Sequence, residues 1–293
     1  MIGIFLDYLR YERNRSELTV LRYEKSLKDF EAYFEERDSG LSWKTVDADV
    51  VRDWMETLMD KGMKSTSICA DLSALRTFFR FALSRGLIDK DPAYGIVGPK
   101  KQKPLPQFVR ENEMDELLDK EGWGDNYKEV RARTIILLLY ETGLRRAELA
   151  ALDDRSIDWS ARQLKVTGKR NKQRIVPFGD ELAEELKHYM ELRNEAQSDR
   201  DPEALFVGEK GERLGGCQIY LLVRKYLSQV TTMKKRSPHV LRHSFATAML
   251  NHGAGLESVK LLLVHESLET TEIYTHTTFE QLKRVYKDAH PRG

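Results

Sequence analysis

The chain has 293 residues, 41% of them apolar, which is enough for two domains that each bury a core. Its longest apolar run, TIILLLY at 134–140, is far short of the roughly 20 residues that a membrane span needs. A net charge of +1 names no partner by itself.

The N-terminal MIGIFLDYLRYERN meets a charge at Asp7 and reads as an amphipathic helix, not a signal peptide. Helical spacing of Tyr23, Leu27, Phe30 and Phe34 predicts a helix over 19–34, with Thr19 as its cap. Asp47 is expected to cap the next helix, which carries Val51, Trp54, Met55 and Leu58 on one face and ends at Gly62. Ser65 or Thr66 opens another, with Ile68, Leu72, Leu75 and Phe79 as its stripe and Gly86 as its stop. Lys64 stands at the start of that helix and Arg76 and Arg80 share one of its faces, so all three are candidates for phosphate or base contacts. A solvated face is the ordinary alternative.

GIVGPKKQKPLPQF, 95–108, has three prolines, three lysines and no periodicity. It reads as a stiff basic linker. From there, helices alternate with one β excursion, QLKVTG (163–168) and RIVPF (174–178) around the turn KRNKQ. The run RQLKVTGKRNKQR at 162–174 has no acidic residue, and 210–242 holds eight Lys or Arg against Glu212 alone. Both fit an electrostatic footprint for phosphate, and either is also compatible with a solvated surface. Cys69 and Cys217 make no disulfide framework and fit a reducing cytoplasm, each expected to fill core space.

Four motifs can carry chemistry. In ETGLRRAEL (141–149), Gly143 is a natural helix stop and Arg145 sits in the turn that follows. A guanidinium held there matches two phosphate oxygens. In the basic hairpin a Lys can deliver a proton to a leaving oxygen, but the residues alone do not choose among Lys169, Arg170 and Lys172. SPHVLRHSFAT (237–247) starts a helix with Ser237 as a potential cap and Pro238 at the first position. His239, Arg242 and His243 then form one cationic stripe, with Leu241, Phe245 and Ala248 on the opposite side. In LLLVHESLETTEIYTH (261–276), His265 ends an apolar helix and Tyr274 follows nine residues later. A Tyr is usually packing; in a phosphate site it can be a nucleophile. Zinc is not expected, because HVLRH carries Arg242 where a zinc hydrolase has its Glu.

Taken in order, TGLRRAE, VTGKRNKQRIVP, HVLRHSFAT, LLLVHESLETT and IYTH resemble the tyrosine recombinase (phage integrase) family, closest to the Xer-type recombinases. The resemblance implies a mainly α protein of two domains. Residues 1–98 would be a helical, SAM-like core-binding domain, 99–106 a linker, and 107–293 a mostly α catalytic domain with a small antiparallel sheet and a C-terminal helix. It implies Tyr274 as nucleophile, Arg145 and Arg242 on the scissile phosphate, and His265 as a further hydrogen-bond donor. Lys169 would be the general acid and His239 the proton acceptor, with Glu148 orienting the basic groups. Arg170 and Lys172 would touch DNA, and no metal, ATP or other cofactor is called for.

Val264 stands where the family usually has Gly, Arg170 replaces a common Gly, and Ala248 a common His. The expected partners are duplex DNA with two inverted half-sites and three further protomers, homo- or heterotypic, and no membrane. The short N-terminus leaves an arm-binding domain unexpected. The stripe Phe279, Leu282 and Tyr286 fits a helix that docks into a neighbouring protomer or one that packs on its own domain. Alternatives within reach of the same residues are a mobile-element integrase or DNA invertase, a type IB topoisomerase, and a non-catalytic DNA-binding protein.

Overall fold

The computed structural model describes residues 1–101, 107–168, 172–263 and 276–292, and the chain forms two compact units, Met1–Pro104 and Leu105–Gly293. In the first, α1 (Ile2–Asp7) continues through a π-helical turn at Tyr8–Glu12, followed by α2 (Glu17–Arg37), α3 (Ala48–Asp60) and α4 (Ser65–Ser84). Their apolar stripes meet in a core rich in rings, with Phe5, Phe30, Phe34, Phe78 and Phe79 fully buried.

Capping decides where these helices begin. The Asp47 carboxylate accepts from the N–H groups of Asp49 and Val50, as its position predicts. Thr19 does not cap α2: the helix starts after Ser16, whose hydroxyl bonds the Thr19 hydroxyl at 2.9 Å instead of the backbone. Ser65 does open α4, but Lys64 takes the cap position and makes no side-chain cap bond. Gly62 and Gly86 both have left-handed φ, 73° and 64°, which explains glycine at those two stops.

The second unit contains α5 (Glu111–Leu118), α6 (Tyr127–Thr142), α7 (Arg146–Ala150), β1 (Ile157–Asp158), β2 (Gln163–Thr167) and β3 (Gln173–Pro177). It goes on with α8 (Asp180–Ala196), α9 (Gly216–Val230), α10 (Pro238–Asn251), α11 (Leu256–Leu263) and α12 (His276–Ala289). Helix α6 is buried on every side from Val130 to Thr142 and packs against α8 and α10, so it is the central helix of this unit. The sheet is antiparallel in the order β1-β2-β3; β1 was not evident in the sequence pattern. Leu164 pairs with Val176 and Val166 with Arg174, and burial alternates along β3. Arg174 therefore occupies an inward position otherwise held by aliphatic residues.

Helix α12 packs on its own unit. Tyr286 and Ala289 join Phe245, Met249, Val259 and Leu262 in one cluster, and Leu282 is buried as well; the Phe279 side chain lies outside the described residues. The Tyr286 hydroxyl donates to Glu141 Oε2 at 3.1 Å, and the Gly179 N–H donates to the same oxygen. Arg292 closes the chain end by donating to Glu181 and Asp115.

Cys217 is exposed on α9, contrary to the expectation that it fills core space; Cys69 is half-buried and donates to the Pro99 carbonyl. The exposure of Cys217 follows from the helix start at Gly216, which turns position 217 outward. Among the described residues, no helix is long and apolar enough to cross a membrane.

Glu141 supplies a test of this packing. Burial pushes its carboxyl from 4.5 up to about 8, with the Glu181 charge adding to the rise; the Gly179 and Tyr286 hydrogen bonds and the Arg292 charge oppose it. The folded value exceeds the unfolded one, so the native state keeps a proton that the unfolded chain releases. Stability should fall as pH rises from about 4.5 to about 8. Tyr286 is pushed further above its ordinary range and burial holds His290 down at about 3, so neither titrates in the folded protein between pH 6 and 9. The unfolded His290 does titrate near 6.5, but equally in both proteins compared below, so their difference isolates Glu141. In urea unfolding over that interval, the natural protein is expected to lose stability with pH and Glu141→Gln to lose much less. Parallel curves for the two proteins would contradict a protonated Glu141.

Candidate active site

The site is built around the turn between α6 and α7. Helix α6 ends on Gly143, which adopts φ 59° and ψ 24°. A Cβ at this position would lie 2.6 Å from Leu263 Cδ2 and 2.7 Å from Phe245 Cδ1, so both the backbone and the neighbours require glycine. The Gly143 carbonyl accepts from Arg242 Nη1 at 2.6 Å, and the Leu263 carbonyl accepts from Arg242 Nη2 at 2.7 Å. Arg242 thus ties α10 to the end of α6 and the end of α11. Its guanidinium has five N–H groups, so these two bonds orient it without exhausting its donors. Burial lowers the Arg242 pKa to about 10, and the charges of Arg145 and Arg174 add to that fall; the group stays protonated at neutral pH.

Two residues after Gly143, Arg145 is the N-cap of α7. Glu148, at the third helical position, reaches back to accept its backbone N–H at 2.8 Å, the acidic half of a capping box. The same carboxylate accepts from Arg145 Nη1 at 2.8 Å. From the sheet, Arg174 meets it with a two-pronged fork, Nη1 to Oε1 at 2.7 Å and Nη2 to Oε2 at 2.8 Å. Burial alone would raise the Glu148 pKa, but the Arg174 bonds and charge, joined by those of Arg145, bring it down to about 2.

The first residue of the hairpin turn also abuts this pair. Gly168 closes the turn by donating to the Lys172 carbonyl at 2.7 Å, and a Cβ on it would stand 3.3 Å from Glu148 Oε1. His239 is exposed in the first turn of α10. Partial burial lowers its pKa, and the nearby charges of His243, Arg242, Arg145 and Arg146 lower it further. This favours the neutral imidazole, the form able to accept a proton.

The structure brings together Arg145, Glu148, His239 and Arg242 from motifs far apart in the chain. Lys169, Arg170, His265 and Tyr274 lie outside the described residues, as does Val264. Lys172 is half-buried at the hairpin base. In the first unit, Lys64 and Arg80 are exposed, while Arg76 donates to the Ile96 carbonyl. That bond gives Arg76 a structural use that its helical spacing with Arg80 did not reveal. The expected Ser237 cap bond is absent: α10 starts with Pro238 at its first position and no side-chain cap. Among the described residues, no three His, Cys, Asp or Glu side chains gather as metal ligands.

Sequence reasoning missed Arg174 as a site-building residue because it treated the hairpin as a uniform run of charge. The signal was available in the strand alternation. Leu164, Val166 and Val176 mark the buried face of the sheet, and Arg174 falls on it in register with Val166. A charge at such a position requires a buried partner.

The Phage integrase family model matches residues 107–281, and the model for the phage integrase N-terminal SAM-like domain matches residues 2–86. The tyrosine recombinase XerC of Chlorobaculum tepidum is 35% identical, over 100% of this chain and 94% of its own length. That of Chlorobaculum parvum is 37% identical, over 98% and 93%. Among solved structures, the XerH site-specific recombinase bound to its difH substrate in a pre-cleavage complex has a TM-score of 0.71 at 22% identity. The match covers 96% of this chain and 83% of that one, and at this identity it speaks for the fold alone.

Gly143 is the position at which this site is most sensitive to a single methyl group. Gly143→Ala places a side chain in left-handed backbone and into Leu263 and Phe245, and should cost about 2–4 kcal/mol of stability. Denaturant unfolding measures this; a midpoint equal to that of the natural protein would refute the crowding described.

Proposed function

Because the chain belongs to the phage integrase family of tyrosine recombinases, enzymes that cleave and rejoin DNA, we propose the following division of labour among its residues. Tyr274 attacks the scissile phosphate; its oxygen–phosphorus bond forms as the bond to the 5′ oxygen breaks, leaving a 3′-phosphotyrosine. His239 accepts the tyrosine proton, and Lys169 supplies one to the departing 5′ oxygen. Arg145, Arg242 and His265 hold the non-bridging oxygens. Attack builds charge on oxygens that are already anionic, so prearranged cations lower the barrier. In this reading the side-chain cations supply the charge stabilisation that a metal ion would otherwise give. No ATP is consumed, because the phosphotyrosine conserves the energy of the broken bond for religation.

One observation carries the assignment. Arg145 and Arg242 come from separate motifs, and each is held by acceptors of the protein itself: Glu148 for Arg145, and the Gly143 and Leu263 carbonyls for Arg242. Side chains restrained in this way reach a phosphate without first losing their own freedom. The lowered His239 pKa supports its role as the acceptor.

The likeness to XerC proteins over the whole chain favours an Xer-like role over the other uses of this chemistry. We place the enzyme in the cytoplasm, acting on two DNA sites that each carry inverted half-sites. Four protomers exchange one strand pair, pass through a Holliday junction and then exchange the second. The helical unit grips one side of the duplex through Lys64 and Arg80, and the catalytic unit grips the other through Arg170 and Lys172. Helix α12 links protomers by leaving its own unit for a neighbour's.

Covalent capture on fragmented DNA of the host tests the chemistry and finds the site. The natural protein should yield SDS-resistant adducts at a sequence with inverted repeats, and Tyr274→Phe should bind that sequence without forming any. Adducts from Tyr274→Phe at normal yield would remove the nucleophile; adducts scattered without a shared sequence, with relaxation of any supercoiled plasmid, would favour a topoisomerase. On the captured site, Lys169→Ala should slow cleavage of a normal strand by roughly 100-fold or more. The same variant should cleave a strand with a 5′-bridging sulfur at nearly the natural rate, since that leaving group needs no proton. Equal slowing on both strands would rule against Lys169 as the acid.

A further inference from the structure

We infer that Arg174 is a positioning residue for Arg145: it takes up the charge of Glu148, so that Arg145 is held in place yet keeps its own charge for a phosphate oxygen. This rests on the role proposed above for Arg145.

The argument starts from where the three side chains lie. Arg174 and Glu148 are almost wholly buried, with side-chain exposures of 5% and 3%, whereas the Arg145 side chain is 43% exposed. Arg174 comes from β3 at a position whose alternation calls for an aliphatic residue. Its fork engages both Glu148 oxygens in the geometry that best satisfies a carboxylate. One negative and two positive groups leave one net positive charge. Arg145 is the member of the three that reaches solvent, so that surplus is presented at the surface.

Consider the same site without the Arg174 charge. The buried carboxylate then has Arg145 as its sole hydrogen-bonded guanidinium. A charge in such surroundings strongly favours its nearest counter-charge. Arg145 is drawn inward onto both oxygens, and the field it offers a phosphate is largely cancelled. Gly168 stands against Glu148 Oε1, so a shift of the carboxylate also disturbs the start of the turn that carries Lys169. The Arg174 fork, which shares Oε1 with the Arg145 guanidinium and also takes Oε2, prevents this. Lys cannot reproduce the two-pronged contact but does retain the charge.

Single-turnover cleavage of the captured site, at saturating DNA, by the full-length protein tests the inference. Arg174→Met should cleave about 100-fold more slowly, the scale expected for losing one aimed cation. Arg174→Lys should stay within about 10-fold of the natural protein, because the charge that matters is kept. The decisive comparison is made in a Glu148→Gln background, where no carboxylate remains to be neutralised. There, adding Arg174→Met should change the rate by less than about 3-fold, and the double variant should cleave at least 10-fold faster than Arg174→Met alone; such non-additivity marks residues acting through one another. A purely structural Arg174 predicts the same loss in both backgrounds, and that result overturns the inference, as does Arg174→Met cleaving at the natural rate. If Arg174→Met fails to fold, the comparison of Glu148→Gln with the double variant still decides the matter. Failure of the natural protein to form any adduct would instead undo the recombinase chemistry itself.

Discussion

A carboxylate buried between two guanidinium groups organises the catalytic unit. Glu148 would be unstable as an anion in its position without Arg174 and Arg145, because the surroundings that exclude water also remove its solvation. Once both cations are present, its oxygens are satisfied from two directions, and the ion is held far below the usual carboxylate range. The small sheet, with one inward arginine, is thereby joined to the α6–α7 turn. Neither element makes sense alone: an arginine inside a sheet and a glutamate inside a helix turn are each costly until they meet.

The same turn is a junction for the rest of the unit. Within five residues, Glu141 receives the Tyr286 hydroxyl of α12, Gly143 gives its carbonyl to Arg242 of α10, and Arg145 engages Glu148. Arg242 in turn holds the last carbonyl of α11. Displacing any of these helices therefore disturbs hydrogen bonds that hold its neighbours. Such a junction is a direct physical route from the C-terminal helix to Arg145 and Arg242. Helix α12 is bound by apolar packing and by the Tyr286 contact to Glu141, and Arg292 just beyond it bonds Glu181. Both kinds of contact hold the helix against its own unit.

Much of the helical framework was legible in the sequence, for reasons that differ from helix to helix. Asp47 capped α3 as expected because a short acidic side chain just before a run of helical periodicity has few competing uses. Gly62, Gly86 and Gly143 ended helices because each must adopt backbone that other residues avoid. Thr19 and Ser237 misled because a hydroxyl near a helix start can bond a neighbouring side chain or nothing at all; Ser16 and Thr19 bond each other. Arg76 was a plausible DNA contact by spacing, but a carbonyl from the segment after the helix occupies it. No local pattern records that encounter.

The sequence by itself determined the family, the helical periods, the glycine stops and the set of motifs from which a phosphate site can be assembled, because these depend on residues within a few positions of one another or on an ordered series of short signatures. Only the tertiary structure decided which arginines are oriented and which one is buried, that Glu148 serves two of them, and that α12 lies against its own unit. Those outcomes depend on contacts such as Arg174 with Glu148, 26 residues apart, and Arg242 with Gly143, 99 apart. Such pairs are selected by the burial of charge and by the packing of whole helices, and neither quantity exists until the chain has folded.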